Sequence, residues 1–358
     1  MYIQRLFTLL SLSLSLSVAH GTTTVFLMGG QSNMEGWQDL SGFPTDVQSP
    51  ITSVPFYTGN TSSPVANTLT YIQGNTSQIS RTGPELAFAH ALTDATSSPF
   101  AIIKYARGST SLYTDWAAGG DATTTGDATQ YVNLQNTVTS GLAAMQAAQP
   151  SETFQIGGFL WTQGERDANQ GQTTAQYETN LTNFFDDVRL TYGSDLPIFY
   201  STLSDSQTAL TAAERANIVD AQVNVEALSP NNHLINTDGF TSDGIHFDGN
   251  GYTALGTAFA DSVIAAEALS VSGPPEQLFL DITNFSFDLP DQGGDGGFSV
   301  ATPTGWTNLG GTLGTINFNA GVRYTTADAD DANPSGGTIG DMDGNQALFT
   351  INNGGVSQ

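Results

Sequence analysis

Short apolar runs alternate with longer amphipathic segments between residues 22 and 270, and this alternation restricts the fold more than any other feature of the sequence. In the longer segments apolar residues recur every three or four positions, which predicts helices, whereas the short runs are typical of buried strands. Strand followed by helix, repeated five times, predicts an α/β fold with a five-stranded parallel sheet covered on both faces. Because such crossovers are right-handed, we expect a three-layer, doubly wound α/β/α sandwich. The predicted strands are TVFLM (24–28), FAIIKYA (100–106), IGGFLWT (156–162), PIFYST (197–202) and HLINT (233–237), and the predicted helices span 84–94, 131–148, 174–190, 212–228 and 251–269.

Ser32 lies in GQSNM, directly after the first predicted strand and behind Gly29 and Gly30. Open parallel sheets bind ligands at the carboxyl ends of their strands, so a serine in this turn is a candidate nucleophile. The nucleophile elbow of the α/β-hydrolases, GxSxG, requires glycine at position 34, and Met34 excludes it. A serine in such a turn also serves as a helix N-cap, because its hydroxyl accepts from free helix amides. This stretch alone leaves both roles open.

His246, in TSDGIHFDGNGY, is the candidate general base among four histidines. It lies in a glycine-rich loop between the fifth predicted strand and the last predicted helix, three residues after Asp243. This DxxH spacing allows the carboxylate to bond one imidazole nitrogen and fix the tautomer, while the other nitrogen faces a serine. The alternative is a loop histidine paired locally with Asp243 or Asp248.

Two further turns supply candidate oxyanion donors. Gln163, in GGFLWTQGERD (157–167), carries an amide at the end of a rigid apolar strand. Gly108, in KYARGSTSLYTDW (104–116), allows close backbone approach, so its N–H is a second candidate, although a plain turn glycine is the alternative. The charged trio Glu165, Arg166 and Asp167 is expected to brace its loop rather than react.

GQSNM, KYARGSTSL, WTQGERD and DGIHF, in this order and spacing, resemble the sialate O-acetylesterase-like branch of the SGNH hydrolases, close kin of the acetylxylan esterases of carbohydrate esterase family six. The resemblance covers residues 22–269 and implies a flavodoxin-like three-layer fold, no metal or other cofactor, and removal of acetyl groups from sugar hydroxyls. The substrate is then an acetylated oligo- or polysaccharide. A catalytically silent glycan-binding protein and a lipase of the same fold are the alternatives.

The resemblance also assigns roles to individual residues. Ser32 is the nucleophile, His246 the base and Asp243 its orienting acid, and the oxyanion hole is formed by the amides of Ser32 and Gly108 with the Gln163 side chain. Family members usually have two glycines in the second block, whereas here Ser109 follows Gly108. If the second position supplies the donor, the Ser109 amide takes that place. Substrate-binding or loop-bracing roles are expected for Gln31, Asn33, Arg107, Glu165 and Arg166.

Charge and composition exclude several classes of partner. Acidic residues outnumber basic ones 34 to 8, for a formal net charge of -26. Such a surface repels nucleic acid phosphates and anionic lipid. The chain has no cysteine, which excludes thiolate catalysis, cysteine metal sites and disulfides. Some of the few basic residues lie in or near the motifs, either in buried ion pairs that hold loops or in contact with substrate; they are Arg81, Lys104, Arg107 and Arg166.

The two ends of the chain differ from its centre. Residues 1–21 read as a secretory signal peptide with Arg5 before an apolar stretch, which is too short for a membrane span. We therefore expect a secreted, periplasmic or cell-surface protein. A linker at 271–280 precedes a β-rich module at 281–358, expected to be incomplete and to attach to glycan or to a surface. Acidic clusters in this module are either solvated turns or a calcium site; they are Asp328, Asp330 and Asp331, and Asp341 and Asp343.

Overall fold

The computed structural model describes residues 21–77, 80–269, 351–352 and 355–356. Residues 1–20 of the signal peptide predicted at 1–21, and the predicted linker and β-rich module apart from one short antiparallel pair, lie outside the described residues. No helix in the described part of the chain is long and apolar enough to cross a membrane. The strands are β1 Thr22–Gly30, β2 Ile51–Thr58, β3 Thr70–Ile72, β4 Phe100–Ala106, β5 Thr153–Thr162, β6 Ile198–Ser201, β7 Asn232–Ile235, β8 Ile351–Asn352 and β9 Gly355–Val356. The helices are α1 Ser32–Glu35, α2 Pro84–Ala95, α3 Thr129–Ala148, α4 Glu165–Asn169, α5 Thr174–Tyr192, α6 Ala212–Glu226 and α7 Gly249–Ala265, with 3-10 turns at Leu40–Gly42 and Thr45–Val47.

The first seven strands form one sheet in the order β3-β2-β4-β1-β5-β6-β7, which confirms the α/β fold with a mostly parallel central sheet. All neighbouring pairs are parallel except β2 and β3. All five predicted strands are present, and the five-stranded count is corrected to seven by β2 and β3. Sequence reasoning missed these two because β2 contains Pro55, which has no N–H for a ladder, and because β3 has three residues.

β1 lies at the centre of the sheet and pairs along its length with β4 and β5. Its side chains alternate between the two faces, as the pleat requires. Val25 and Leu27 belong to the core formed with α3, α5 and α6, whereas Phe26 and Met28 belong to the core formed with α2 and α7. Burial on both faces explains why β1 reads as a continuous apolar run. The carboxyl ends of β4, β1 and β5 therefore lie side by side.

Helices α2 and α7 pack closely because Gly256 has no side chain. A Cβ atom built there would lie 2.5 Å from the Phe88 amide nitrogen and 2.6 Å from the Pro84 carbonyl oxygen. Both contacts are to backbone, which cannot rotate away as a flexible side chain can. The distance between these helices therefore depends on this glycine.

We expect Gly256→Ala to lower the free energy of unfolding by about 1–3 kcal/mol, because overpacking outweighs the gain in helix propensity. Urea denaturation of the full chain measures the change. Thr257→Ala, at an exposed position of the same helix, is the matched control and should be neutral or slightly stabilising. A Gly256→Ala chain as stable as the wild type would contradict the packing argument.

Candidate active site

Ser32 follows a turn in which the chain leaves β1 and enters α1 directly. Gly30 has φ +143°, and a Cβ there would lie 2.1 Å from the Thr162 carbonyl oxygen, so only glycine fits. The N-cap position belongs to Gln31, whose carbonyl accepts from the Met34 and Glu35 amides. Ser32 is the first helical residue and is 8% exposed. Within the described residues its Oγ has no hydrogen-bond partner, so Ser32 does not serve as the helix cap.

Asn33 connects the Ser32 turn to the His246 loop. Its Nδ2 donates to Glu165 Oε1 at 2.6 Å and to the Ile245 carbonyl at 3.2 Å. Its Oδ1 accepts from the Phe247 amide at 3.0 Å. Because Ile245 and Phe247 flank the histidine, the residue after Ser32 is bonded to both sides of His246. Asn33 is fully buried and braces the two loops.

His246 is half-buried, and its ring lies beside Trp37, with the ring centroids 5.3 Å apart. Burial lowers the pKa of this imidazole, while the nearby carboxylates of Asp243 and Glu165 oppose that effect. A lowered pKa keeps the imidazole neutral near pH 7, which is the form that accepts a proton. In the described residues neither ring nitrogen makes a hydrogen bond, either to Ser32 or to a carboxylate.

The Asp243 carboxylate bonds the backbone of its own loop, and its role as the orienting acid of His246 stays a prediction. Its Oδ1 accepts from the Ile245 amide at 2.9 Å and the His246 amide at 2.8 Å, and no bond to the imidazole is formed. A carboxylate this close in sequence reaches the backbone of its own tight turn more readily than the ring. Asp243 therefore shapes the loop and acts on His246 through its charge.

Gly108 lies against Ser32, as expected, but its amide is already occupied. A Cβ built on Gly108 would lie 3.5 Å from Ser32 Cβ, an ordinary van der Waals contact, and 3.0 Å from Glu35 Oε2, the group that a larger residue would crowd. The Gly108 N–H donates to Glu35 Oε2 at 2.7 Å in this structure, and its role as an oxyanion donor stays a prediction. Ser109 follows with φ +62°, is exposed, and has an amide without a partner among the described residues.

Gln163 is also engaged internally. Its Nε2 donates to Asp167 Oδ2 at 2.5 Å and lies 3.1 Å from both Gln31 Oε1 and the Thr110 carbonyl, while its Oε1 accepts from the Tyr177 hydroxyl. The side chain has no exposed surface. Both N–H groups thus have acceptors inside the protein, and the role of this amide as an oxyanion donor stays a prediction.

Three buried carboxylates hold the loops around Ser32. Asp167 accepts from the Leu112 and Tyr113 amides at 2.8 and 3.1 Å and so joins α4 to the loop after β4. Glu35 accepts from Asn60 at 2.5 Å as well as from Gly108. Burial raises the pKa of both Asp167 and Glu35, although their hydrogen bonds lower it.

Glu165 is the third of these carboxylates. Its Oε1 accepts from Asn33 and from Gln207, while its Oε2 is buried without a hydrogen-bond partner among the described residues. This carboxylate also acts electrostatically on His246. Glu165 thus braces the loops and places negative charge near the candidate base.

Gln31 also braces its loop. Its Oε1 lies 3.1 Å from Gln163 Nε2 and accepts from the Arg166 amide at 3.2 Å. It therefore joins the turn after β1 to the turn after β5.

The basic residues divide into two groups. Lys104 forms a buried ion pair with Glu85 at 2.5 Å, and Arg81 pairs with Asp39 at 2.8 Å. Arg107 donates to Ser62 Oγ at 3.1 Å, and Arg166 is exposed. In the part of the chain described, neither of these two arginines forms a salt bridge. Both flank the Ser32 turn, because the Arg107 amide donates to the Gly30 carbonyl and the Arg166 amide donates to Gln31 Oε1.

Sequence reasoning missed four residues that touch this arrangement: Glu35, Trp37, Asn60 and Gln207. Glu35 directly follows the GQSNM block and Trp37 lies two residues further on, so the sequence places them near Ser32 but does not show what they contact. Asn60 and Gln207 follow β2 and β6 and belong to no motif. Among the described residues, no group of three or more histidine, aspartate or glutamate side chains is placed to hold a metal ion.

Residues 22–265 match the family described as SASA, carbohydrate esterase, sialic acid-specific acetylesterase. The matched segment contains β1 to β7 and α1 to α7. No curated protein matches the chain significantly.

Several solved structures are similar to this chain. One is a protein of Arabidopsis thaliana, 18% identical with a TM-score of 0.52 over 68% of this chain and 98% of that one. A carbohydrate acetylesterase from Xanthomonas citri is 19% identical with a TM-score of 0.49 over 69% of this chain and 56% of its own. NanS is 14% identical with a TM-score of 0.49 over 70% and 98%. At this level of identity the Arabidopsis likeness supports the fold alone.

Lys104 also joins β4 to the Ser32 turn, because its Nζ donates to the Glu35 carbonyl at the end of α1 at 3.0 Å. We expect Lys104→Met to lower the free energy of unfolding by about 3–5 kcal/mol, since it leaves the buried Glu85 carboxylate without a counter-ion. Adding Glu85→Gln should recover part of the loss, as measured by urea denaturation.

Arg215→Met is the matched control because it breaks a partly exposed ion pair with Asp238. It should cost less than about 1 kcal/mol. Equal losses from Lys104→Met and Arg215→Met would contradict a special role for the buried pair.

Proposed function

The chain belongs to the sialic acid-specific acetylesterase family of carbohydrate esterases, and from that premise we propose that it removes O-acetyl groups from a carbohydrate through an acetyl-enzyme on Ser32. The observation that carries the assignment to Ser32 is the joining of its turn to the His246 loop through Asn33. A free serine hydroxyl and a neutral imidazole in adjoining segments form the minimum apparatus for acyl transfer. The carbohydrate is the class of substrate that the family indicates.

The proposed reaction begins when His246 takes the Ser32 proton and Oγ attacks the acetyl carbonyl carbon. The tetrahedral intermediate collapses as the imidazolium returns that proton to the departing sugar oxygen, leaving an acetyl ester on Ser32. Water, deprotonated by His246, then attacks this ester; the imidazolium returns the proton to Ser32 Oγ as the Oγ–acyl bond breaks, and acetate is released. The charges of Asp243 and Glu165 stabilise the transient imidazolium in each half-reaction.

The oxyanion donors in this proposal are the backbone amides of Ser32 and Ser109. Neither has an acceptor among the described residues, and Ser109 directly follows the glycine that contacts Ser32. Gly108 and Gln163 then act indirectly, because their N–H groups hold Glu35 and Asp167 in place. Donors fixed in advance in this way stabilise a developing oxyanion without reorganising during the reaction.

Within the carbohydrates, we propose a sialate- or xylan-type acetyl ester as the substrate. Arg107 and Arg166 flank the Ser32 turn and form no salt bridge in the described residues. Because a guanidinium binds a carboxylate, this favours the acidic sialate over xylan. Acetate release from O-acetylated sialic acid and from acetylxylan, measured side by side, tests this choice. We also propose that the protein is exported, which rests on the predicted signal peptide.

A catalytically silent glycan-binding protein is the second candidate. The observations that favour it are the absence of a Ser32–His246 hydrogen bond and the internal use of two expected oxyanion donors. A fluorophosphonate probe separates the two candidates, since it labels only an activated serine. Glycan binding without labelling of Ser32 would favour the silent protein.

We expect Ser32→Ala to reduce hydrolysis of p-nitrophenyl acetate by about 10⁴-fold or more and to abolish fluorophosphonate labelling, because the acyl acceptor is removed. Ser53→Ala, at an exposed position of β2, is the matched control and should keep both properties. Full activity in Ser32→Ala would refute the assignment of the nucleophile.

The pH dependence of kcat/KM should report the free-enzyme pKa of His246. Because burial lowers this pKa, we expect kcat/KM to rise with pH through a midpoint below about 6.5, the ordinary histidine value, and then to level off. Initial rates with p-nitrophenyl acetate at constant ionic strength give the profile. A midpoint clearly above the ordinary value would show that the carboxylates dominate over burial.

A further inference from the structure

Gln207 is a buried glutamine in the segment between β6 and α6, and only 2% of its surface is exposed. Its Oε1 accepts from the Ser204 amide at 2.8 Å. Its Nε2 donates to Glu165 Oε1 at 2.9 Å and to the Ile245 carbonyl at 3.1 Å. One N–H donor and two oxygen acceptors surround the amide, so its orientation is unambiguous.

Two side-chain amides converge on the same pair of acceptors. Asn33 Nδ2 donates to the same Glu165 oxygen and the same Ile245 carbonyl, at 2.6 and 3.2 Å. Asn33 comes from the end of β1, and Gln207 follows the end of β6. Together the two amides bond the carboxylate of Glu165 and the Ile245 carbonyl that precedes His246.

The His246 loop depends on these bonds for its position. Phe247, directly after the histidine, is 2% exposed and packs in the core, whereas Ile245 is 52% exposed, so hydrogen bonds hold the backbone before His246. The segment containing Gln207 makes two further bonds to the loop: the Ala209 amide donates to the Gly244 carbonyl at 2.9 Å, and Ser242 Oγ donates to the Ser206 carbonyl at 2.8 Å. Residues 204–209 are therefore hydrogen-bonded to the His246 loop at three positions, Ser242, Gly244 and Ile245.

We propose that Gln207 is a positioning residue for His246, holding the loop of the base and the Glu165 carboxylate in one geometry. The proposal rests on the proposed function, in which His246 is the base. Gln207 does not touch substrate, because it is buried, and it acts through Glu165 and Ile245. The charged groups that act on His246 are Asp243 on its own loop and Glu165 on α4.

The chemistry of the contact distinguishes positioning from mere packing. Gln207→Met keeps the volume of the side chain but donates to neither acceptor. Gln207→Glu keeps the shape and places a second carboxyl group against Glu165 Oε1. Two carboxyl groups at this distance share one proton at low pH and repel each other once both are ionised.

The experiment measures p-nitrophenyl acetate hydrolysis by the full chain as a function of pH, with thermal unfolding as a check on folding. We expect Gln207→Met to lower kcat by about 10²-fold with little change in KM, because the base is displaced. We expect Gln207→Glu to move the rising limb of the pH profile to higher pH, because the added carboxyl group raises the His246 pKa, and to add a falling limb at still higher pH that the wild type lacks.

Matched controls are Gln135→Met and Gln135→Glu. Gln135 is also buried and its amide donates to a carboxylate, Asp127 Oδ2, at 2.5 Å, but it lies on α3 away from the His246 loop. These variants should lose stability without altering the pH profile. The same falling limb in Gln135→Glu would overturn the proposal, because it would show a general effect of added buried charge.

A second readout does not require turnover. NMR titration of the imidazole Cε1–H signals should show a higher pKa for His246 in Gln207→Glu and no change in Gln135→Glu, because only the former adds charge beside the base. An unchanged His246 pKa together with an unchanged pH–activity profile in Gln207→Glu would overturn the proposal. If Gln207→Met does not fold, these two measurements on Gln207→Glu decide. A wild-type chain without esterase activity would contradict the proposed function instead, and the titration would still test the positioning role.

Discussion

Buried carboxylates that accept hydrogen bonds from neighbouring loops are the interaction on which the candidate site depends. Glu35, Glu165 and Asp167 each follow a strand end, and each accepts N–H donors from a different segment of the chain. Burying such a group is costly unless its oxygens are hydrogen-bonded, so the loops that supply the donors are held in place by the same energy that makes the burial tolerable. Apolar packing holds the sheet and helices, whereas polar bonds hold the edge where Ser32 and His246 lie.

Two residues expected as oxyanion donors, Gly108 and Gln163, form hydrogen bonds inside the protein in this arrangement. The Gly108 amide and the Gln163 side chain are hydrogen-bond donors beside Ser32. Both donate to carboxylates, Glu35 and Asp167 respectively. A carboxylate is a stronger acceptor than an ester carbonyl, so a donor that reaches both remains with the carboxylate. In the proposed mechanism the amides of Ser32 and Ser109 are the oxyanion donors, and the bonds to Glu35 and Asp167 hold the neighbouring turns in place.

Burial and charge act in opposite directions on the candidate base. Partial burial beside Trp37 lowers the pKa of His246, while Asp243 and Glu165 would raise it. The same carboxylates that resist this lowering would stabilise an imidazolium once a proton has moved. A base that is neutral at rest and stabilised when protonated is what acyl transfer requires.

The sequence by itself determined the α/β fold, the five main strands with their helices, and the turns in which Ser32, Gln163 and His246 lie. Apolar periodicity carries that information because each strand and helix must bury its own apolar residues. It did not identify β2 and β3, since Pro55 and the short length of β3 hide them, and it did not determine which atoms bond at the strand ends. The hydrogen-bond partners of Gly108, Gln163, Asp243 and Gln207 were decided only by the tertiary structure. A hydrogen bond depends on atoms brought to about 3 Å from distant parts of the chain, and no local pattern records that distance.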